Sequence, residues 1–143
     1  MILNEKGILK EFDIVVYPVP VVVTIGDVYK EVNAAYSPLD KDCDVIGQPG
    51  KEFGATTYHV RNKETTQFCL LVWFPDIDKC RGSFFAHEAG HISLEIFKYV
   101  EAYMDYVNQE PFCYLLGNVF RLINATFYEY KEYLENKKSK KKK

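Results

Sequence analysis

The sequence predicts an α+β fold: a small antiparallel or mixed sheet followed by two packed helices. Three observations carry this. In the first half, Val and Ile crowd into short stretches punctuated by Pro and Gly. From Gly82 onward apolar residues recur every three or four positions, the period of a helix face. Finally, 143 residues with a hydrophobic fraction of 48% suffice for one core, and no internal repeat divides them. Residues 1–136 are expected to form a single domain.

In chain order, "EFDIVVYPVPVVVTIGD" (residues 11–27) reads as strand, with Pro18 and Pro20 imposing a break or an edge position. Residues 33–54 collect Pro, Gly, Asp and Asn and read as loop. "ATTYHVRN" and "TTQFCLLVWF" form an antiparallel pair around the polar turn "RNKET". A first helix opens near Gly82, with Ser83 as its cap and Phe85, Ala89, Ile92, Ile96 and Tyr99 as its apolar stripe. A second begins near "NQEPF", with Asn108 as cap and Pro111 in the first turn. Its stripe runs Phe112, Leu115, Leu116, Val119, Leu122, Ile123 and Phe127.

The formal charge of −2 includes six lysines within Lys137–Lys143, so residues 1–136 carry −8. An acidic body argues against a nucleic-acid groove on it. The lysine run, residues 137–143, is expected to be a disordered, solvated end, or one that touches phosphates or an acidic partner. Cys43, Cys69, Cys80 and Cys113 contain no C-x-x-C pair, and Cys69 and Cys113 fall in apolar periodic segments where a reduced, buried thiol is expected. No signal peptide and no membrane-spanning run is expected, which points to the cytoplasm.

Chemistry concentrates in "SFFAHEAGHISLEIF", residues 83–97, which holds two of the three histidines. Four positions apart on a helix, His87 and His91 can place both imidazoles on one zinc ion. Glu88, about 100° round the helix from His87, is positioned to act on water as general base. The competing reading is a solvated polar face opposite the stripe. Ala86, Ala89 and Gly90 favour the functional reading, since small residues let another element approach the helix.

A catalytic zinc needs a third protein ligand. Leu94 and Phe97 occupy the positions where the metzincin extension has Gly and His, which excludes that pattern. The candidates are Glu95, Glu101, Asp105, Glu110 and His59. Glu95 lies one turn beyond His91 and reads as a solvated charge; Glu101 and Asp105 read as surface residues. Glu110, in the first turn of the second helix, can complete a His-His-Glu site if the helices pack side by side, or can simply favour the helix dipole. Tyr114, one turn on, is either a hydrogen-bond donor to a developing oxyanion or a packing aromatic. His59 satisfies a local hydrogen bond or lines the cleft, and Trp73 is core or cleft wall.

His87-Glu88-x-x-His91 with a Glu on the next helix resembles the gluzincin type of metallopeptidase. "AHEAGH" with "NQEPFCYLLG" is similar to small, largely uncharacterised zincin-like proteins of bacteriophages and gut bacteria, a resemblance confined to residues 86–117. It implies a minimal zincin-like fold, a bacterial or phage-infected host cell, Zn2+ at His87, His91 and Glu110, and Glu88 as catalytic acid/base on a peptide or protein substrate. In such folds an edge strand ahead of the active helix, here "TTQFCLLVWF", can hold an extended peptide. Many gluzincins carry E-x-x-x-D; Tyr114 stands where that Asp would be. The alternatives are a non-catalytic zinc-binding accessory or structural protein, phage-encoded, and a hydrolase of non-peptide amides.

Overall fold

A computed structural model describes residues 1–47 and 54–141. The order is β1 (Ile2–Asn4), β2 (Gly7–Ile14), β3 (Tyr17–Gly26), α1 (Tyr29–Ala35), β4 (Tyr36–Pro38), β5 (Thr56–Asn62), β6 (Phe68–Phe74), α2 (Gly82–Tyr99) and α3 (Glu110–Lys141). The six strands form one mixed sheet in the order β1-β2-β3-β6-β5-β4, so the architecture is α+β.

The segment 11–27 divides into two strands around Val15 and Val16. The prolines sit where the ladder is already irregular: β2 and β3 pair Phe12 with Val21 and Ile14 with Tyr17, leaving Pro18, Val19 and Pro20 opposite Asp13 alone. Pairing of β3 to β6 starts only at Val21. The missing proline N–H groups therefore cost no ladder bond. At the other end of this hairpin Gly7 faces Gly26, and a Cβ on either would stand 2.3 Å from a backbone oxygen. Only glycine admits that approach, and Gly26 also takes a φ of +95°.

β5 and β6 pair antiparallel, as expected, but β6 also pairs parallel with β3. It is therefore central, and the expectation that it offers a peptide-binding edge is corrected: the strand nearer the rim is β5. Alternate side chains of β3 and β6 enter two cores. Val21, Val23, Ile25, Leu70, Val72 and Phe74 pack under α2 and α3. Val22, Leu71 and Trp73 pack on the opposite face under α1 and Ile46. Trp73 is thus core, its indole N–H donating to the Gly26 carbonyl at 3.0 Å.

Four of the five stripe residues of α2, Phe85, Ala89, Ile92 and Ile96, are buried. Each large one contributes about 1.5–3 kcal/mol of burial. Tyr99 is half out, stacked on Phe68 at 4.9 Å. The helix is capped by Arg81 backbone with no side-chain bond, so Ser83 is not its cap. Of the small residues, only Ala89 is in close packing; a Cβ on Gly90 would meet nothing within 4 Å. Gln109 carbonyl accepts the first bond of α3, one residue later than the expected Asn108 cap.

Two expectations about the ends and loops change. α1 runs into the stretch read as loop at residues 33–35, and its one buried residue is Val32. Residues 48–53 of that stretch lie outside the described residues. α3 continues through Lys141, with Lys141 Nζ 3.3 Å from Glu5, where a disordered tail from Lys137 was expected. Lys is a good helix former and the helix was already nucleated, so it propagates. Lys142 and Lys143 are outside the described residues. No helix among the described residues is long and apolar enough to cross a membrane.

Candidate metal centre

His87 and His91 stand one turn apart on α2 with their Nε2 atoms 3.0 Å from each other and their rings edge to face. Zn–N bonds of 2.0–2.1 Å at a tetrahedral angle separate two nitrogens by roughly 3.3 Å. The pair is thus within a few tenths of an ångström of chelating spacing. The same contact also serves as a hydrogen bond between neutral imidazoles, one N–H donating to the other's lone pair.

Glu88 is the one buried carboxylate among the described residues, 6% exposed. It is held by the Thr57 hydroxyl, which donates to Oε2 at 2.6 Å. This contact arises from strand alternation: Thr57 and His59 point to the helix side of β5, while Val60 and the packed edge of Tyr58 serve the other core. Two residues on, His59 repeats the pattern, its Nε2 2.9 Å from Glu95 Oε2. Its Nδ1 is 3.0 Å from Asp40 Oδ1. Together Thr57, His59, His87, Glu88, His91 and Glu95 line a hollow of about 360 Å³ between β5 and α2. Burial pulls the His59 imidazolium down, but the bonds to Glu95 and Asp40 more than offset this, and it titrates above the ordinary 6.5.

The structure does not gather the other expected residues here. Glu110 is exposed in the first turn of α3. That turn meets the far end of α2, where Phe97 and Phe112 pack at 5.3 Å, and α3 returns to α2 through Phe85 and Phe127 at 5.3 Å. At about 100° per residue, Phe85 lies about 160° round α2 from His87 and Phe97 about 80°, and each lies about 120° from His91. Side-by-side packing of the helices is present, but it carries Glu110 past the end of the motif. Tyr114 is exposed and lines a separate apolar hollow with Val15, Val16 and Pro111. Glu101 and Asp105 are exposed, Asp105 accepting from the Val107 N–H at 2.8 Å. Among the described residues, no three His, Cys, Asp or Glu side chains form a group able to hold a metal ion.

Thiols do not fill the gap. Burial, helped by Asp76 and Asp78, pushes Cys80 up to about 12, and burial with Glu11 pushes Cys69 up to about 11. Neither is a thiolate near neutral pH. Cys113, expected to be buried, is exposed, because its position falls off the α3 stripe.

Glu95, read from sequence as a solvated charge, and His59, read as satisfying a local hydrogen bond or lining the cleft, are partners in the wall of this hollow. Thr57 and Asp40 were not anticipated at all. The available signal was alternation: Thr57 and His59 share one face of a strand that pairs directly ahead of the histidine helix. No protein-family model matches the chain, and no curated protein or solved structure matches it significantly.

Proposed function

We propose that this chain is a zinc-dependent hydrolase of peptide bonds with a minimal zincin-like build, in which His87 and His91 are metal donors and Glu88 is the acid/base. One observation carries the reading: two imidazole nitrogens 3.0 Å apart beside a buried carboxylate held in place from the neighbouring strand. Buried carboxylates are costly unless bonded, and the Thr57 hydroxyl offsets that cost for Glu88 in a hollow it shares with two histidines.

Zinc, when bound, supplies Lewis acidity to the reacting carbonyl. The chain's own residues do the rest. Glu88 takes a proton from the attacking water and delivers it to the leaving amine. The Thr57 hydroxyl occupies one carboxylate oxygen and leaves the other to carry that proton. Along β5, residues 56–58 have no strand partner among the described residues on the side away from β6, since β4 pairs only with residues 60–62. That edge suits an extended peptide, which adds main-chain hydrogen bonds to it.

The donor set fits zinc through two histidines, and the absence of a third grouped donor among the described residues favours a second reading, a non-catalytic metal-binding accessory protein. One experiment separates them. Metal content by elemental analysis and cleavage of a peptide library are measured for wild type, Glu88→Gln, His91→Ala and Glu110→Ala. Metal lost in His91→Ala, with cleavage lost in Glu88→Gln while metal is retained, supports the enzyme. Stoichiometric zinc with no cleavage in any sample supports the accessory role, and wild type without metal rejects both. Loss of metal in Glu110→Ala as well would place Glu110 among the donors, against its position on α3.

A further inference from the structure

His59 holds a carboxylate at each ring nitrogen, Asp40 at Nδ1 and Glu95 at Nε2. Ionised carboxylates only accept hydrogen bonds, and a neutral imidazole has a single N–H. Both bonds therefore coexist only in the imidazolium. Its setting is fixed on the remaining side by Phe68, stacked on the ring at 6.0 Å and 18°.

Asp40 does more than accept from the ring. Its second oxygen lies 3.4 Å from the His59 backbone N–H, and the Leu39 N–H donates to the His59 carbonyl at 2.9 Å. Residues 39 and 40 thus close the outer edge of β5 at His59, directly beside the stretch 56–58, which has no strand partner on that side among the described residues. Of the two carboxylates, Glu95 is the better anchored: it stands on α2 with Lys98 Nζ 3.7 Å away, while Asp40 stands on a connecting segment.

We propose that His59 is a protonation-dependent latch: its imidazolium holds Asp40 over the outer edge of β5, and loss of one proton releases Asp40 and lengthens the open edge beside the histidine hollow. The latch regulates docking at the site proposed above, and its consequence for substrate rests on that reading; the latch itself does not. Other charges face His59 from each packed element. α2 contributes Lys98 behind Glu95, with Glu88 and the histidine pair along the same hollow. β5 contributes Arg61, whose guanidinium is occupied by the Thr66 carbonyl at 2.9 Å. Lys41 and Asp42 follow Asp40 in sequence, and β6 presents only the uncharged Phe68. The net raising of the His59 titration agrees with two carboxylates outweighing burial.

The test uses the full chain without metal or substrate. Imidazole 15N and 13C signals of His59 are followed through a pH titration in wild type, Asp40→Asn and Glu95→Gln. Backbone hydrogen exchange of His59 is measured in parallel, with Val60 as the internal control. The expected result is both ring nitrogens protonated at the acid end and a titration above 6.5 that moves down in each variant. Protection of the His59 amide should fall across that titration by more than the base-catalysed rise seen at Val60. A His59 titration unaffected by Asp40→Asn, or amide protection that tracks Val60 throughout, overturns the latch. Because neither readout involves turnover, a protein that binds no zinc and cleaves nothing leaves the latch standing, while metal binding with a flat His59 response removes the latch alone.

Discussion

The Thr57 hydroxyl donates to Glu88 Oε2 at 2.6 Å, across the gap between β5 and the helix that carries the histidine pair. It is the only hydrogen bond to that buried carboxylate among the described residues, so the strand, through one side chain, sets where the Glu88 carboxylate stands.

Removing the donor should therefore be costly beyond its size. Thr57→Val keeps the β-branched shape and leaves Glu88 buried without a partner, which costs about 1–3 kcal/mol. Thr57→Ser should recover most of it. Urea unfolding of the three proteins measures this, and equal midpoints for wild type and Thr57→Val would show that the bond is not made.

At the motif itself, Glu88→Gln should retain metal while lowering hydrolysis by about 10²–10⁴-fold. His91→Ala should lower zinc affinity and, with it, the stabilisation that bound metal adds to the folded state. Thermal melts with and without a chelator give the second half directly: the chelator should lower the wild-type midpoint and leave that of His91→Ala where it is.

The His59 cluster gives stability its own pH dependence. Its folded titration is raised, so the stabilisation is complete below the ordinary 6.5 and is lost as pH rises through the folded value. The stability lost in Asp40→Asn should accordingly be larger at about pH 6 than at about pH 9. A difference that grows toward alkaline pH would contradict the sign.

Beneath α2 the expectation is ordinary core behaviour. Ile92 and Ile96 are fully buried, and Ile92→Ala should cost about 2–5 kcal/mol. At the far end, truncation after Asn136 removes surface contacts, Lys141 with Glu5, Lys137 over the Tyr133 ring and Ser139 with the Glu135 carbonyl, and the melting temperature should stay within about 2 °C.

What could be read from the sequence was what local periodicity encodes. The β5–β6 hairpin and the stripes of α2 and α3 follow from spacing, because each side chain's face is set by its own element. The parallel pairing of β3 to β6 has no such signature, since Val21 to Ile25 alternate identically whichever strand they join. α1 has seven residues and one buried side chain, too short for a period to register. In the site, His87, Glu88 and His91 were visible as a motif, and their closeness follows from helix geometry alone. The position of Glu110 was not, because it depends on where Phe112 seats against Phe97 and on the course of residues 100–109. The grip of Thr57 on Glu88 joins residues 31 positions apart, and no local rule reaches that far.

The parallel seam between β3 and β6 also dictates an order of assembly. The hairpins β2–β3 and β5–β6 close through short turns, whereas Val21 meets Leu70 only after a loop of roughly fifty residues is drawn together. Such non-local pairing slows folding, so the two hairpins can form early while the seam waits. Until it closes, β6 exposes Leu70, Leu71 and Val72 along a bare edge to any other chain. The hollow between β5 and α2 stands apart from this delay: β5, β6 and α2 follow one another in the chain, and Thr57 meets Glu88 across 31 residues without crossing the seam.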